Sequence, residues 1–187
     1  MKKWRVVLGA LGIVLVAWGL GYAVYKKGFE SGRDFSAQRD SESPKKWVSE
    51  KWDYEITFPR LWESIKRDDP SIRSMGADVF CSGGRGASTA VFVYPRVSRD
   101  TLDGATDEIL NLYRNQVGEV TLVEKNDFTK DGFPARTLVF KQGEFTHHYT
   151  FVLTDKVNLS VSSNCPTSEY ESSIADFQSI LDSLKFL

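Results

Sequence analysis

Cysteine and histidine are scarce in this chain of 187 residues, which has two of each. Neither cysteine belongs to a Cys-x-x-Cys unit, so zinc binding and thiol–disulfide catalysis have little support. The chain also lacks the Gly-x-Ser-x-Gly elbow of many serine hydrolases. A basic excess is missing as well, because residues 34–187 carry 18 Lys and Arg against 24 Asp and Glu, a net charge of −6. That sign argues against a nucleic-acid partner and against a domain lying flat on anionic lipid.

Charge is absent altogether from residues 6–24, a run of nineteen mostly apolar side chains. As a helix this run would reach about 28 Å, close to the hydrocarbon thickness of a bilayer. Only a helix satisfies its own backbone groups in lipid. We therefore predict one transmembrane helix that contacts the bilayer through residues 6–24. It lies within an N-terminal signal anchor of residues 1–27, and a polar linker of residues 28–51 follows.

A cleaved signal peptide is the alternative to this anchor. Secretory apolar regions are shorter, about 7–15 residues, and only Gly19-Leu20-Gly21 and Gly21-Tyr22-Ala23 offer weak cleavage sites here. We favour the uncleaved anchor. Lys and Arg are nearly balanced on its two sides, so the positive-inside rule leaves the orientation open. Small residues four apart, Ala17 with Gly21 among them, would also allow self-association through the membrane helix.

The two cysteines, Cys81 and Cys165, each stand at the end of a predicted strand. An even pair suits an oxidising compartment, which favours a domain outside the cytoplasm. A bridge that closes a loop of about 85 residues would contribute roughly 4 kcal/mol in the chain-entropy model. Two small buried thiols are the alternative. We favour a Cys81–Cys165 disulfide.

Residues 52–187 have the patterns of one α+β domain, with a mainly antiparallel sheet covered by helices. Apolar residues that alternate with polar ones predict strands, and turn residues separate them. Apolar residues three and four apart predict a helix over residues 102–117 and a second helix from about Ser168. The predicted strands are residues 54–58, 61–66, 78–82, 88–94, 120–126, 135–141, 145–154 and 157–164.

Capping residues define the ends of both predicted helices. Asp100 or Ser98 is placed to cap the first helix, and Gly118 is placed to end it. Ser168 and Glu171 fit a capping box at the start of the second helix.

Three segments of this domain resemble the Mog1/PsbP-like superfamily, especially its small bacterial membrane-attached members. They are residues 54–62 (YEITFPRLW), 132–136 (GFPAR) and 180–186 (ILDSLKF). The resemblance covers about residues 52–187 and implies an α/β sandwich with a central antiparallel sheet. It implies no common chemistry, since named members are accessory proteins: one assists the oxygen-evolving side of photosystem II, another binds a small nuclear GTPase. No functional residue of the family is matched here.

Three short segments suggest chemistry only superficially. His147 and His148 are neighbours on a predicted strand, so they should point to opposite faces and one should meet solvent. Residues 81–88 (CSGGRGAS) lack the lysine and the following helix of a phosphate-binding loop. Residues 127–132 (DFTKDG) echo a calcium loop but lack its glutamate, so a turn is the better interpretation. We predict no catalytic residue, metal or cofactor.

The sequence therefore predicts an extracytoplasmic accessory module, anchored in the inner membrane by a single pass, with its C-terminal domain in the periplasm. It would stabilise or recruit another envelope protein without catalysis, through contacts that include Arg85 at a predicted hairpin tip and the aromatic residues Trp47 and Trp52. Core packing is the alternative role of both tryptophans. The alternative functions are a sensor of a small ligand or metal, and a hydrolase whose site is built from scattered residues.

Overall fold

Ten β-strands and two α-helices occur in the computed structural model, which describes residues 44–65, 76–98 and 100–187. The predicted membrane segment of residues 6–24 and the linker up to residue 43 lie outside the described residues. Within the described ranges, no helix is both long enough and apolar enough to cross a membrane.

The elements follow the predicted order of strands, helix, strands and helix. The helices are α1 (Leu102–Val117) and α2 (Tyr170–Ser183), and a short 3-10 turn (Thr167–Glu169) leads into α2. The strands are β1 (Lys45–Ser49), β2 (Tyr54–Phe58), β3 (Glu63–Ile65), β4 (Val79–Ser82), β5 (Ser88–Pro95), β6 (Thr121–Lys130), β7 (Phe133–Gln142), β8 (Phe145–Leu153), β9 (Val157–Pro166) and β10 (Lys185–Phe186).

The strands form two antiparallel sheets. The large sheet has seven strands in the order β3-β4-β5-β9-β8-β7-β6, and the small sheet has the order β1-β2-β10. Helix α2 packs on one face of the large sheet together with the small sheet, and α1 packs on the other face. We call these the α2 face and the α1 face. The predicted α+β class with mainly antiparallel pairing is confirmed.

Each face of the large sheet carries its own hydrophobic core. On the α2 face the core joins β2, α2 and the large sheet, and its largest buried members include Tyr54, Phe58, Trp62 and Phe177. Ser183 at the end of α2 accepts the N–H of Thr57 at 2.8 Å and donates to the Thr57 carbonyl at 3.0 Å, which fixes α2 to β2. The α1 face buries a smaller set: Leu110, Tyr113, Leu138, Phe140, Tyr149 and Phe151.

Helix α1 has the predicted bounds, and Gly118 follows it with a positive φ of 105°. Its N-cap differs from the prediction, because the side chain of Thr101 accepts the N–H of Gly104 at 3.0 Å. Asp100, predicted as a cap together with Ser98, instead accepts the N–H of Val97 at 2.7 Å. Thr101 directly precedes the helix, so its hydroxyl can accept a free N–H of the first turn.

Two further predictions about element boundaries are wrong. The folded domain starts before residue 52, because β1 pairs with β2 along its whole length although it falls within the predicted linker of residues 28–51. The capping box of Ser168 and Glu171 does not form. The 3-10 turn occupies residues 167–169, so α2 begins only at Tyr170 and has no side-chain cap.

Candidate interaction surface

The two histidines lie back to back on β8, one on each face of the large sheet. His147 contacts Tyr113 and Phe140 on the α1 face, with ring centroids 4.6 and 4.9 Å apart. His148 contacts Phe177 of α2 on the other face, at 6.0 Å. The prediction that they point to opposite faces is confirmed. The expectation that one meets solvent is wrong, because a helix covers each face at this point and both side chains are buried.

Burial makes both imidazoles weak bases. Loss of hydration lowers the pKa of His147 and the pKa of His148 to about 4, so both rings are neutral near pH 7. The Nδ1 atom of His147 lies 3.4 Å from the Tyr113 hydroxyl, whereas His147 Nε2 and His148 Nδ1 are buried without a hydrogen-bond partner. Across the described ranges, no three side chains that could ligate a metal form a group.

Cys81 and Cys165 are free thiols buried on the α2 face, so the structure contradicts the predicted disulfide. Cys81 pairs with Thr89 of β5, and Thr89 pairs with Ser163 of β9, two residues before Cys165. Two strand spacings, about 10 Å, therefore separate the backbones that carry the two cysteines, which exceeds the roughly 7 Å between Cα atoms that a disulfide can join. Burial raises the pKa of Cys81 to about 12 and that of Cys165 to about 11, which keeps both thiols protonated.

An ion cluster joins α1 to the last two strands of the large sheet, and it was not predicted. The buried guanidinium of Arg136 donates to both carboxylate oxygens of Asp127 on β6, with Nη2 2.8 Å from Oδ2. Its Nη1 lies 2.5 Å from Asp103 of α1, and Lys125 of β6 reaches the same Asp103 oxygen at 3.2 Å. Hydrogen bonds from Arg136 hold the pKa of Asp103 and the pKa of Asp127 below the usual range.

The segment that echoes a calcium loop, residues 127–132, forms the end of β6 and a tight turn, as predicted. Asp131 and Gly132 have φ angles of 52° and 84°, which is typical of a type I′ hairpin turn. The carboxylate of Asp127 is occupied by Arg136 rather than free for a cation.

Arg85 lies at the tip of the β4–β5 hairpin, and its side chain is 65% exposed. Its φ of 60° is left-handed, which is uncommon for a residue with a side chain. The N–H of Gly83 donates to the carbonyl of Ala87 at 2.8 Å and closes the loop. Gly83 packs so tightly on Trp62 that an added Cβ would lie 2.5 Å from the indole. This fixed loop presents the guanidinium to solvent, 3.8 Å from Glu169.

Trp47 and Trp52 lie on the β1–β2 hairpin and are half-buried against the α2-face core. The indole N–H of Trp47 donates to Asp78 at 3.3 Å, and the Tyr54 hydroxyl donates to the same oxygen at 2.8 Å. The Lys51 ammonium lies 4.3 Å from the ring centroid of Trp52. Packing of the hairpin accounts for most of the surface of both indoles.

Arg85 and Trp52 do not form one surface. Asp53, next to Trp52, contacts Lys156 just before β9, whereas Arg85 contacts Glu169 just after β9. A strand of ten residues spans about 30 Å, so these residues mark opposite ends of the domain.

Strand β6 forms a free edge, since among the described strands it pairs with β7 alone. It is ten residues long, and its first seven residues are exposed. A bulge between Leu122 and Glu124 leaves Val123 outside the pairing, and both Leu122 and Val123 are about half exposed. Unpaired backbone groups along an exposed edge are a template for another strand. The sequence patterns predicted a strand here but not its place at the edge.

We compared the sequence with protein families and curated proteins, and the fold with solved structures. No family model matches the sequence, and curated proteins give no match either. The solution structure of cyanobacterial PsbP (CyanoP) from Synechocystis matches with a TM-score of 0.61 at 16% identity, over 81% of this chain and 96% of that one. The Ran-binding protein Mog1p of Saccharomyces cerevisiae matches with a TM-score of 0.55 at 12% identity, over 78% and 96%. The chain has a Mog1/PsbP-like fold.

A third structure with this likeness is LpqN of Mycobacterium tuberculosis, which is involved in cell envelope biogenesis. It matches with a TM-score of 0.50 at 12% identity, over 79% of this chain and 86% of that one. The resemblance read from the sequence is thus confirmed for the fold. At these identities the Mog1/PsbP-like fold leaves function to be argued from the residues of this chain.

Proposed function

We propose that this Mog1/PsbP-like chain is an accessory module that binds another protein of the bacterial cell envelope and stabilises or recruits it without catalysis. Residues 6–24 would anchor the module in the inner membrane, and its domain would project into the periplasm. The uncharged run of nineteen residues supports the anchor. Support for protein binding comes from the fold, which is shared with a Ran-binding protein and with a protein of cell envelope biogenesis.

The state of the reactive side chains agrees with a binding role. Both imidazoles are buried and neutral near pH 7, and both thiols are buried and protonated. The carboxylates of Asp103 and Asp127 accept hydrogen bonds from Arg136. A nucleophile or general base has to be exposed to its substrate, and none of these groups combines reactivity with access.

The main support for the proposal is the conformation and exposure of Arg85. A left-handed backbone at a residue with a side chain costs roughly 1–2 kcal/mol, and such a conformation persists only where its surroundings hold it. Here the closed loop and the contact between Gly83 and Trp62 hold it, while the guanidinium stays mostly exposed. A guanidinium presented from a fixed loop suits bidentate binding of a carboxylate. We assign Arg85 to contact an acidic side chain of the envelope partner.

A crosslinking comparison tests this assignment with two matched charge reversals. The full chain is crosslinked in its own membranes, as wild type, as Arg85→Glu and as Lys156→Glu. Lys156 is 81% exposed at the opposite end of the domain, so it controls for the change in net charge. We expect Arg85→Glu to lower the yield of a reproducible partner by at least about tenfold and Lys156→Glu to leave it unchanged, since removing one partner of a buried interfacial charge pair costs about 2–5 kcal/mol. Recovery of no reproducible partner, or equal yields from all three chains, contradicts the proposal.

A further inference from the structure

The free edge of β6 presents backbone groups at alternate residues. The two-residue type I′ turn joins Lys130 to Phe133, and the closing pair of such a hairpin exchanges its backbone hydrogen bonds. Bonded and non-bonded pairs alternate from there along β6 and β7. The residues of β6 in non-bonded pairs direct their N–H and C=O groups away from β7, towards the free edge. They are Lys125, Asp127 and Thr129.

The position of Pro134 agrees with this alternation. Pro134 is the β7 residue opposite Thr129, and proline has no N–H to donate. In a non-bonded pair the carbonyl of Thr129 points away from β7. The missing N–H of Pro134 therefore costs β6 no hydrogen bond. The outward groups repeat every two residues, about 6.8 Å apart, which is the repeat of another antiparallel strand.

We propose that β6 pairs antiparallel with β6 of a second copy of this chain, with Asn126 opposite Asn126 of the second copy. This register places Lys125 opposite Asp127 of the second copy and Asp127 opposite its Lys125. Both residues direct their backbone groups outward, so the two pairs form about four backbone hydrogen bonds. The Lys125 and Asp127 side chains are 39% and 62% exposed, which leaves them accessible although they contact Asp103 and Arg136.

Charge selects this register over its neighbours. Cross-strand partners in one sheet must lie on the same face, so the register can shift only by whole steps of two residues. One step brings Lys125 opposite Lys125, and a step the other way brings Asp127 opposite Asp127. Like charges directly opposite destabilise a strand pair, whereas opposite charges stabilise it. Among these registers, only the one centred on Asn126 therefore places each Lys125 opposite an Asp127.

The symmetry of the pair is compatible with two copies in one membrane, a point that rests on the proposed anchor. Two identical antiparallel strands in one continuous sheet are related by a two-fold axis perpendicular to that sheet. The small sheet lies on the α2 face, so the first residues of β1 in both copies emerge on the same side. Both copies can then be anchored in one bilayer. Confinement to that bilayer raises the effective concentration of the second strand.

Cysteine crosslinking tests the pairing residue by residue. In the proposed register Asn126 forms a non-bonded pair on the two-fold axis, with Cα atoms about 4.5 Å apart, within the range that a disulfide joins. Glu124 lies on the same face, two residues from the axis, so two copies of it are about 14 Å apart. Asn126→Cys and Glu124→Cys are matched, because each removes the hydrogen bond from Asn126 Nδ2 to Glu124 Oε1 at 2.6 Å. The native thiols are buried and stay silent.

The full chain is oxidised mildly in membrane vesicles, and the rate of covalent dimer formation is measured. We expect Asn126→Cys to form dimers at least about tenfold faster than Glu124→Cys, because only the former pair meets disulfide geometry. Adding Lys125→Asp to Asn126→Cys should slow dimer formation, since it places like charges opposite each other. Absence of dimers from both variants overturns the proposal. Equal rates overturn it too and indicate association through another surface, such as the small residues predicted in the membrane helix. Neither result bears on Arg85.

Discussion

Acid should destabilise this domain through its two buried histidines. Their pKa values are about 4 in the folded state, against an ordinary value of 6.5 for an exposed imidazole. Between pH 6.5 and 4 the unfolded chain binds protons that the folded chain does not, so the free energy of unfolding falls as the pH is lowered through this window. Above pH 6.5 both states are neutral at these residues, and below pH 4 the loss is complete.

The size of the effect follows from the pKa difference. A difference of about 2.5 in pKa corresponds to about 3–4 kcal/mol for each histidine, and about 7 kcal/mol for both. Domains of this size are stable by 5–15 kcal/mol, so His147 and His148 together bring this one close to unfolding near pH 4. The carboxyls of Asp103 and Asp127 act in the same direction only at the acid end of this window, because their lowered folded pKa values cost stability as the pH falls through the ordinary carboxyl value of about 3.9.

Urea denaturation of the full chain in detergent, followed by tryptophan fluorescence at pH 7, 6, 5 and 4.5, measures this loss. The double variant His147→Gln, His148→Gln should lose most of the slope between pH 6.5 and 4, although its stability at pH 7 will also change. Each single variant should lose about half. A free energy of unfolding that stays constant from pH 7 to 4.5 in wild type, or an undiminished slope in the double variant, would refute the reasoning.

Two further predictions concern the glycine under Trp62 and the thiols. Gly83→Ala should lower the free energy of unfolding by about 1–3 kcal/mol, because its Cβ would meet the indole at 2.5 Å, whereas Gly84→Ala, with no atom within 4 Å, should cost less. Equal thermal shifts for the two variants contradict that packing. Cys81 and Cys165 should resist a maleimide at pH 8 in the folded chain and both react in urea without reductant, because burial raises their pKa values to about 12 and 11. Fewer than two reactive thiols in urea would contradict the assignment of both cysteines as free thiols.

Local patterns in the sequence predicted the elements that are held by local physics. The bounds of α1 match because its apolar stripe, its acidic first turn and Gly118 all lie within one segment. The turn at Asp131 and Gly132 follows from the tolerance of these two residues for positive φ. Strand β1 was missed because two lysines and an exposed Val48 leave its alternation with little apolar signal.

Features that depend on strand order could not be predicted. Nothing near Cys81 or Cys165 indicates that β5 lies between their strands, and this order is what keeps the thiols apart. The cluster around Arg136 joins residues that are 33 positions apart in sequence, so it leaves no local pattern. The free edge at β6 is likewise a property of the whole sheet rather than of its ten residues.

The position of the chain in the cell tests the central claim most directly. A reporter enzyme that folds only outside the cytoplasm is fused after Leu187, and its activity is measured in washed membranes and in the soluble fraction. The account predicts an active reporter that stays with the membranes, and that is released or inactive when residues 6–24 are deleted. An inactive reporter on the intact chain, or an active one found free of membranes, would contradict a domain held outside by its own anchor.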